Sequence, residues 1–185
     1  MIFNRHSNLN GLHAAFSPSQ SHWLRYDDDQ AVEIYTNKKA AEMGTILHSW
    51  AKTTIDLGIK QPKSKKTLYA YVNDAIGFKM DTEVVLYYSD RFFGTADAIS
   101  FRNGILRIHD LKTGKTPAKI EQLEVYASLF CLEYKVKPHD IEIELRIYQN
   151  DEVLCANPDP DLIAGHMNKI VHLDKLIERF EYEEA

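Results

Sequence analysis

Asp97, Asp110 and Lys112 are two carboxylates and an ammonium that a predicted hairpin gathers at one place, and they are the residues here best placed to do chemistry. Between the acids lies Asn103-Gly104, flanked on both sides by strand-like runs. An Asn-Gly pair in that setting specifies a type I′ turn, because both central positions need positive φ. With the turn centred there, Asp97 faces Asp110 and Thr95 faces Lys112. Alternation along the strands puts Ile99, Phe101, Leu106 and Ile108 on the face that carries the acids, so the pair sits at the edge of an apolar face. Like charges placed opposite one another cost a few tenths to about 1 kcal/mol when exposed, and more when desolvated. A fold that keeps them there wants a cation, and oxygen ligands of this type suit Mg²⁺ or Mn²⁺ rather than zinc. Lys112 shares the face of Asp110 and could orient a water or stabilise developing negative charge. The chemistry expected is phosphodiester hydrolysis, with a metal lowering the pKa of its water. The other reading of the hairpin is an acidic pair neutralised by a neighbouring Lys or Arg, without chemistry.

Several elements must hold that hairpin. Pro18 marks a helix start within 17–26, and Asp27-Asp28-Asp29 reads as a surface turn or a further helix start. A helix is expected over 39–57, where Met43, Leu47, Trp50, Thr54 and Leu57 recur at spacings of three and four before Gly58, and this periodicity assigns Trp50 to the core. His48 lies on this helix. A Lys- and Pro-rich loop follows, then a helix over 68–76 closed by Gly77. Strands are expected over 82–88, 92–101 and 105–111, a helix over 120–134, a half-buried strand over 141–147, and a last helix carrying Ile163, Met167, Ile170, Ile177 and Phe180. This order predicts an α/β or α+β fold with a central mixed sheet of about four strands flanked by helices.

The 185 residues, 44% apolar, suit one substantial core, so residues 1–185 are expected to form a single domain. No apolar run reaches the roughly 18 residues of a membrane span and the first ten residues lack a signal-peptide centre, so a cytoplasmic, soluble protein without membrane association is expected. Cys131 and Cys155 are too few for a cysteine-only zinc or iron–sulfur site. The net charge of −5 excludes coating of nucleic acid by bulk charge but not a local groove. Basic residues cluster at Lys60, Lys63, Lys65 and Lys66, and again at Lys112, Lys115 and Lys119, as a solvated loop or a phosphate-contacting patch. Gly114-Lys115-Thr116 imitates the end of a P-loop, but His109 stands where that motif needs its first glycine.

The runs Gly94-Thr95-Ala96-Asp97, Ile108-His109-Asp110-Leu111-Lys112-Thr113-Gly114-Lys115 and Gln122-Leu123-Glu124-Val125-Tyr126 follow Gly44-Thr45-Ile46-Leu47-His48 in the chain. In that order they resemble the RecB-like branch of the PD-(D/E)XK nucleases. The resemblance implies a restriction-endonuclease-like core and a Mg²⁺- or Mn²⁺-dependent deoxyribonuclease. It implies that His48, Asp97, Asp110 and the carbonyl of Leu111 bind metal, and that Lys112 is the catalytic lysine. Gln122 and Tyr126, on one helix face, would support the site or contact DNA, with Lys115 and Thr95 in the same supporting role. Asp110 replaces the Glu more usual at its position. Relatives among the CRISPR adaptation nucleases hold an iron–sulfur cluster on four cysteines that this chain lacks, so no cluster is expected.

The function expected is therefore that of a DNA nuclease, chiefly an exonuclease, in recombination, repair or phage DNA processing. DNA is the expected partner, a recombination or single-strand-binding protein and a second copy of the chain being further candidates. The rivals are a nuclease-fold protein that grips DNA or a partner without cutting, and a phosphoesterase acting on small nucleotides. Glu83 precedes the hairpin as a weak candidate for a further acid, an exposed strand position being its default reading.

Overall fold

The computed structural model of the protein describes residues 4–9 and 11–184. The chain divides into two compact units, Met1–Thr45 and Ile46–Ala185.

In the first unit, short 3₁₀ segments at Ser7–Leu9 and Pro18–Arg25 precede helix α1 (Asp28–Asp56). The Trp23 indole donates to the carbonyl of Ser17 at 2.8 Å. The expected start of this helix at residue 39 moves to Asp28, because Asp27 and Gln30 cap it reciprocally: Gln30 N–H donates to Asp27 Oδ1 at 2.8 Å and Asp27 N–H to Gln30 Oε1 at 3.3 Å. The added turns carry no apolar stripe, so periodicity could not reveal them.

In the second unit α1 ends at Asp56, two residues before the positive-φ Gly58 that was read as its stop. Its buried positions are Ala51, Thr54 and Ile55, whereas Trp50 and Leu57 are 38% and 66% exposed. Trp50 is thus not core, and its indole leans on the Tyr69 ring instead. Thr54 of the stripe read from spacing is buried, but the rest of the packing face lies one position further on, at Ala51 and Ile55.

Helix α2 (Thr67–Gly77) leads into strands β1 (Asp81–Ser89), β2 (Phe92–Arg102) and β3 (Ile105–Leu111). Helix α3 (Glu121–Glu133) crosses to β4 (Glu142–Gln149), which turns back into β5 (Glu152–Ala156), and α4 (Pro160–Glu184) closes the chain. The sheet runs in sequence order, antiparallel except for the parallel pair β3 and β4. This is a mixed α+β fold, with five strands where about four were expected. The missed strand, β5, is exposed along most of its length and follows an Asn150-Asp151 turn with both residues at positive φ. That turn pair carries the same signal as Asn103-Gly104.

The sheet separates two cores. Leu106, Ile108, Ile143, Leu145 and Ile147 pack with Leu123, Ala127 and Phe130 of α3 and Ile163 and Ile170 of α4. On the other face Leu111 and Tyr148 pack with Ala51 and Ile55 of α1 and with Tyr71, Val72 and Ala75 of α2.

Candidate active site

Asn103 and Gly104 have φ of 53° and 76°, as a type I′ turn requires. The ladder from this turn runs Arg102↔Ile105, Phe101↔Leu106, Ile99↔Ile108 and Ala98↔His109, the register read from the sequence. It stops there, so Asp97 with Asp110 and Thr95 with Lys112 are not ladder pairs. Lys112 N–H instead donates to the Tyr148 carbonyl on β4 at 2.9 Å, and Leu111 N–H donates to Asp97 Oδ2 at 3.0 Å. The strands part just where the carboxylates need room.

Strict alternation also fails at this point. Ala96 packs with the α3 core, but Ala98 packs with the α1 and α2 core. On β1, Leu86 lies in the first core, whereas Met80 just before the strand lies in the second. The phase changes between these residues, at Glu83 and Asp97. The β1–β2 ladder skips that very pair, running Thr82↔Ala98 and then Val84↔Ala96, and Glu83 has φ of 53°. Asp97 therefore leaves the face of Ile99 and Ile108 on which alternation had placed it. Phe101 keeps that face, against the Phe130 ring, but is 44% exposed.

His48 is brought to this site by α1, its Nδ1 lying 3.4 Å from Asp97 Oδ2. Lys52, Asp56 and Thr82 tie the end of α1 to β1: Thr82 Oγ1 donates to Asp56 Oδ1 at 2.6 Å, and Lys52 Nζ donates to both. Burial, then the charge of Asp110, raises the Asp97 carboxyl to about 6, against the opposing hydrogen bond from Leu111 and the nearness of His48. The buried Tyr71 phenol feels the same charges, its pKa being pushed well up by burial and then by Asp97, Asp110 and Glu83.

Asp110 is only 3% exposed. Lys112 Nζ donates to its Oδ1 at 3.0 Å and lies 2.9 Å from its Oδ2. The second distance is an ion-pair contact off the hydrogen-bonding direction, since Oδ2 accepts no hydrogen bond. The same ammonium donates to Gln122 Oε1 at 3.0 Å, and Gln122 Nε2 reaches the Tyr126 hydroxyl at 3.4 Å. Gly94 explains itself here, because a Cβ at that position would stand 2.8 Å from Tyr126 Cε1. The glycine of one motif makes room for the tyrosine of another.

Thr95 and Lys115 are exposed, Thr95 pairing with Val85 on β1 and Lys115 lying in the loop after β3. Gln149 supports that loop, its Nε2 donating to the carbonyls of Gly114 and Thr116 at 2.6 and 2.8 Å. His109, adjacent to Asp110, points the other way, to the Tyr148 hydroxyl at 3.2 Å. Burial, with Arg146 and Arg107 nearby, depresses it to about 3, so it is neutral. A cleft of about 220 Å³ opens beside Lys112, lined also by Leu47, Thr67, Leu68 and Asn150.

The donor set suits a divalent cation. An imidazole nitrogen and carboxylates converge at the end of a strand pair, and the Asp97 carboxyl is raised by burial and then by a neighbouring acid. Among the described residues, no helix is long and apolar enough to cross a membrane.

No protein-family model matches the chain, and no curated protein matches it. Among solved structures, the crystal structure of SSO0001 is similar at 14% identity over 82% of this chain and 68% of that one, with a TM-score of 0.38. A likeness of that size carries no argument about function.

Proposed function

We propose that the chain is a metal-dependent deoxyribonuclease of the PD-(D/E)XK type, hydrolysing DNA phosphodiesters. The supporting observation is that His48 and Asp97 meet at 3.4 Å beside a buried Asp110 that positions Lys112. His48, Asp97, Asp110 and the carbonyl of Leu111 would hold Mg²⁺ or Mn²⁺. Such an ion supplies a more acidic water and charge stabilisation at phosphorus. Lys112 presents an ammonium fixed by Asp110 and Gln122, so it can donate a hydrogen bond to the attacking water or to a phosphate oxygen without first losing its own freedom. Asp97, raised to about 6, is largely ionised at neutral pH and available as a ligand. The cleft beside Lys112 offers a path for a strand, and Lys115 on the adjoining loop is exposed for phosphate contact.

One observation favours the non-cleaving reading: the ion pair of Lys112 with Asp110 is what a merely neutralised acid looks like. Asp97 counts against it, since among the described residues no lysine or arginine pairs with that carboxylate in the same way.

The test is incubation with linear single- and double-stranded DNA and with closed circles, in Mg²⁺, Mn²⁺ or EDTA, beside Lys112→Ala. The expected result is metal-dependent cutting that the variant lacks, with loss of linear DNA alone marking an exonuclease. No cutting under any condition would leave the binding reading.

A further inference from the structure

Glu83 lies outside the hairpin logic, yet the fold delivers it to the same place. One ligand atom each from His48 on α1, Glu83 on β1 and Asp97 on β2 lies within 4.8 Å of the others. Glu83 and Asp97 stand opposite one another at the skipped position of the β1–β2 ladder, and the hydrogen bonds of Thr82 and Lys52 fix α1 against β1 one residue away. A second observation comes from β3, where the buried Asp110, whose charge bears on Asp97, leaves Oδ2 without a hydrogen-bond donor. Of the three carboxylates gathered here, Asp110 is paired with Lys112, and among the described residues no lysine or arginine pairs with Glu83 or Asp97. A divalent cation would answer the two acids that the protein leaves unpaired.

We propose that Glu83 is a metal ligand, forming with His48 and Asp97 a mixed nitrogen and oxygen site for a divalent cation that tolerates imidazole, Mn²⁺ in preference to Mg²⁺. Mg²⁺ favours oxygen ligands and retains several waters, whereas imidazole suits the transition metals better. The inference rests on the proposed function only for the ligand role of His48 and Asp97. It does not depend on DNA being cut. It gives the irregular backbone at Glu83 a use, since a regular strand would turn Asp97 toward the α3 face and away from His48.

The test titrates Mn²⁺ alone and Mg²⁺ alone into the full chain by calorimetry, without DNA, for wild type, Glu83→Gln, Glu83→Gly and Asp97→Asn. Both Glu83 variants should weaken Mn²⁺ binding by about tenfold or more, with a smaller change for Mg²⁺, and should reduce the rise in melting temperature that Mn²⁺ produces. Glu83→Gly keeps the test sound, because glycine takes a φ of 53° without strain and the metal-free variant should melt no lower than wild type. Mn²⁺ affinity within about twofold of wild type in Glu83→Gln, alongside its loss in Asp97→Asn, would overturn the role of Glu83 and leave the Asp97 site standing. Absence of Mn²⁺ binding in wild type would overturn both. Mn²⁺ binding that depends on Glu83, in a protein that cuts no DNA, would support this inference while removing the nuclease reading.

Discussion

Asp97 and Asp110 stand on neighbouring strands at one end of a hairpin, yet their surroundings differ in kind. Asp110 is sealed in and answered by the protein itself, its carboxylate held by Lys112 and that lysine held by Gln122. Asp97 is answered by one backbone N–H and an imidazole, and faces Glu83 and Asp110 as like charges. One side of the site is paired within the protein and holds an ammonium in place; the other is left acidic, which the proposed metal would answer.

The comparison breaks most clearly in cleavage. Asp110→Ala and Lys112→Ala should each lower it by at least about 100-fold, but only Asp110→Ala should weaken metal binding. Equal metal affinity in wild type and Asp110→Ala would remove Asp110 from the ligand set and make it purely a lysine anchor.

Stability of the metal-free protein should show the same contrast with opposite signs. The folded Asp97 carboxyl, at about 6, lies above the unfolded value of about 3.9. Its contribution is therefore fully present below pH 4 and lost as pH rises through 6. Asp97→Asn should then stabilise the metal-free protein at pH 8 by about 3 kcal/mol, the gain vanishing near pH 4. Asp110→Asn should destabilise it at pH 8, because Lys112 loses its partner. Thermal melts at the two pH values decide; a destabilising Asp97→Asn at pH 8 would mean that the acid is already compensated.

A third variant sharpens the ammonium side alone. Gln122→Ala should lower cleavage by about tenfold while leaving metal affinity and melting temperature near wild type, and an unchanged rate would reduce Gln122 to a bystander. The smallest effect is expected at Gly94→Ala, where the new Cβ forces the Tyr126 ring aside at a cost of about 1 kcal/mol. Its melt should fall modestly and its cleavage rate should follow Gln122→Ala in direction.

Much of this was legible beforehand where a local rule applies. Asn103-Gly104 fixed the β2–β3 register because only positive φ closes that turn, and the strand bounds at Ile105 and Leu111 matched expectation. The shared helix face of Gln122 and Tyr126 followed from their spacing of four, whereas the contact of Lys112 with Gln122 is a tertiary one. The strand after Asn150-Asp151 carried the same kind of turn signal, but its exposed, short sequence hid it. Trp50 misled because spacing defines a stripe without saying which side of the stripe packs.

By itself, then, the sequence determined the periodic parts of the helices, the turn, the acids and the lysine beside them, since each depends on residues close in the chain. Only tertiary structure decided that Asp97 leaves its strand's alternation to meet His48 and that Glu83 joins it. A phase change in a sheet is set by the partner strand and by the helix packed across it, and neither is written in the local pattern of residues.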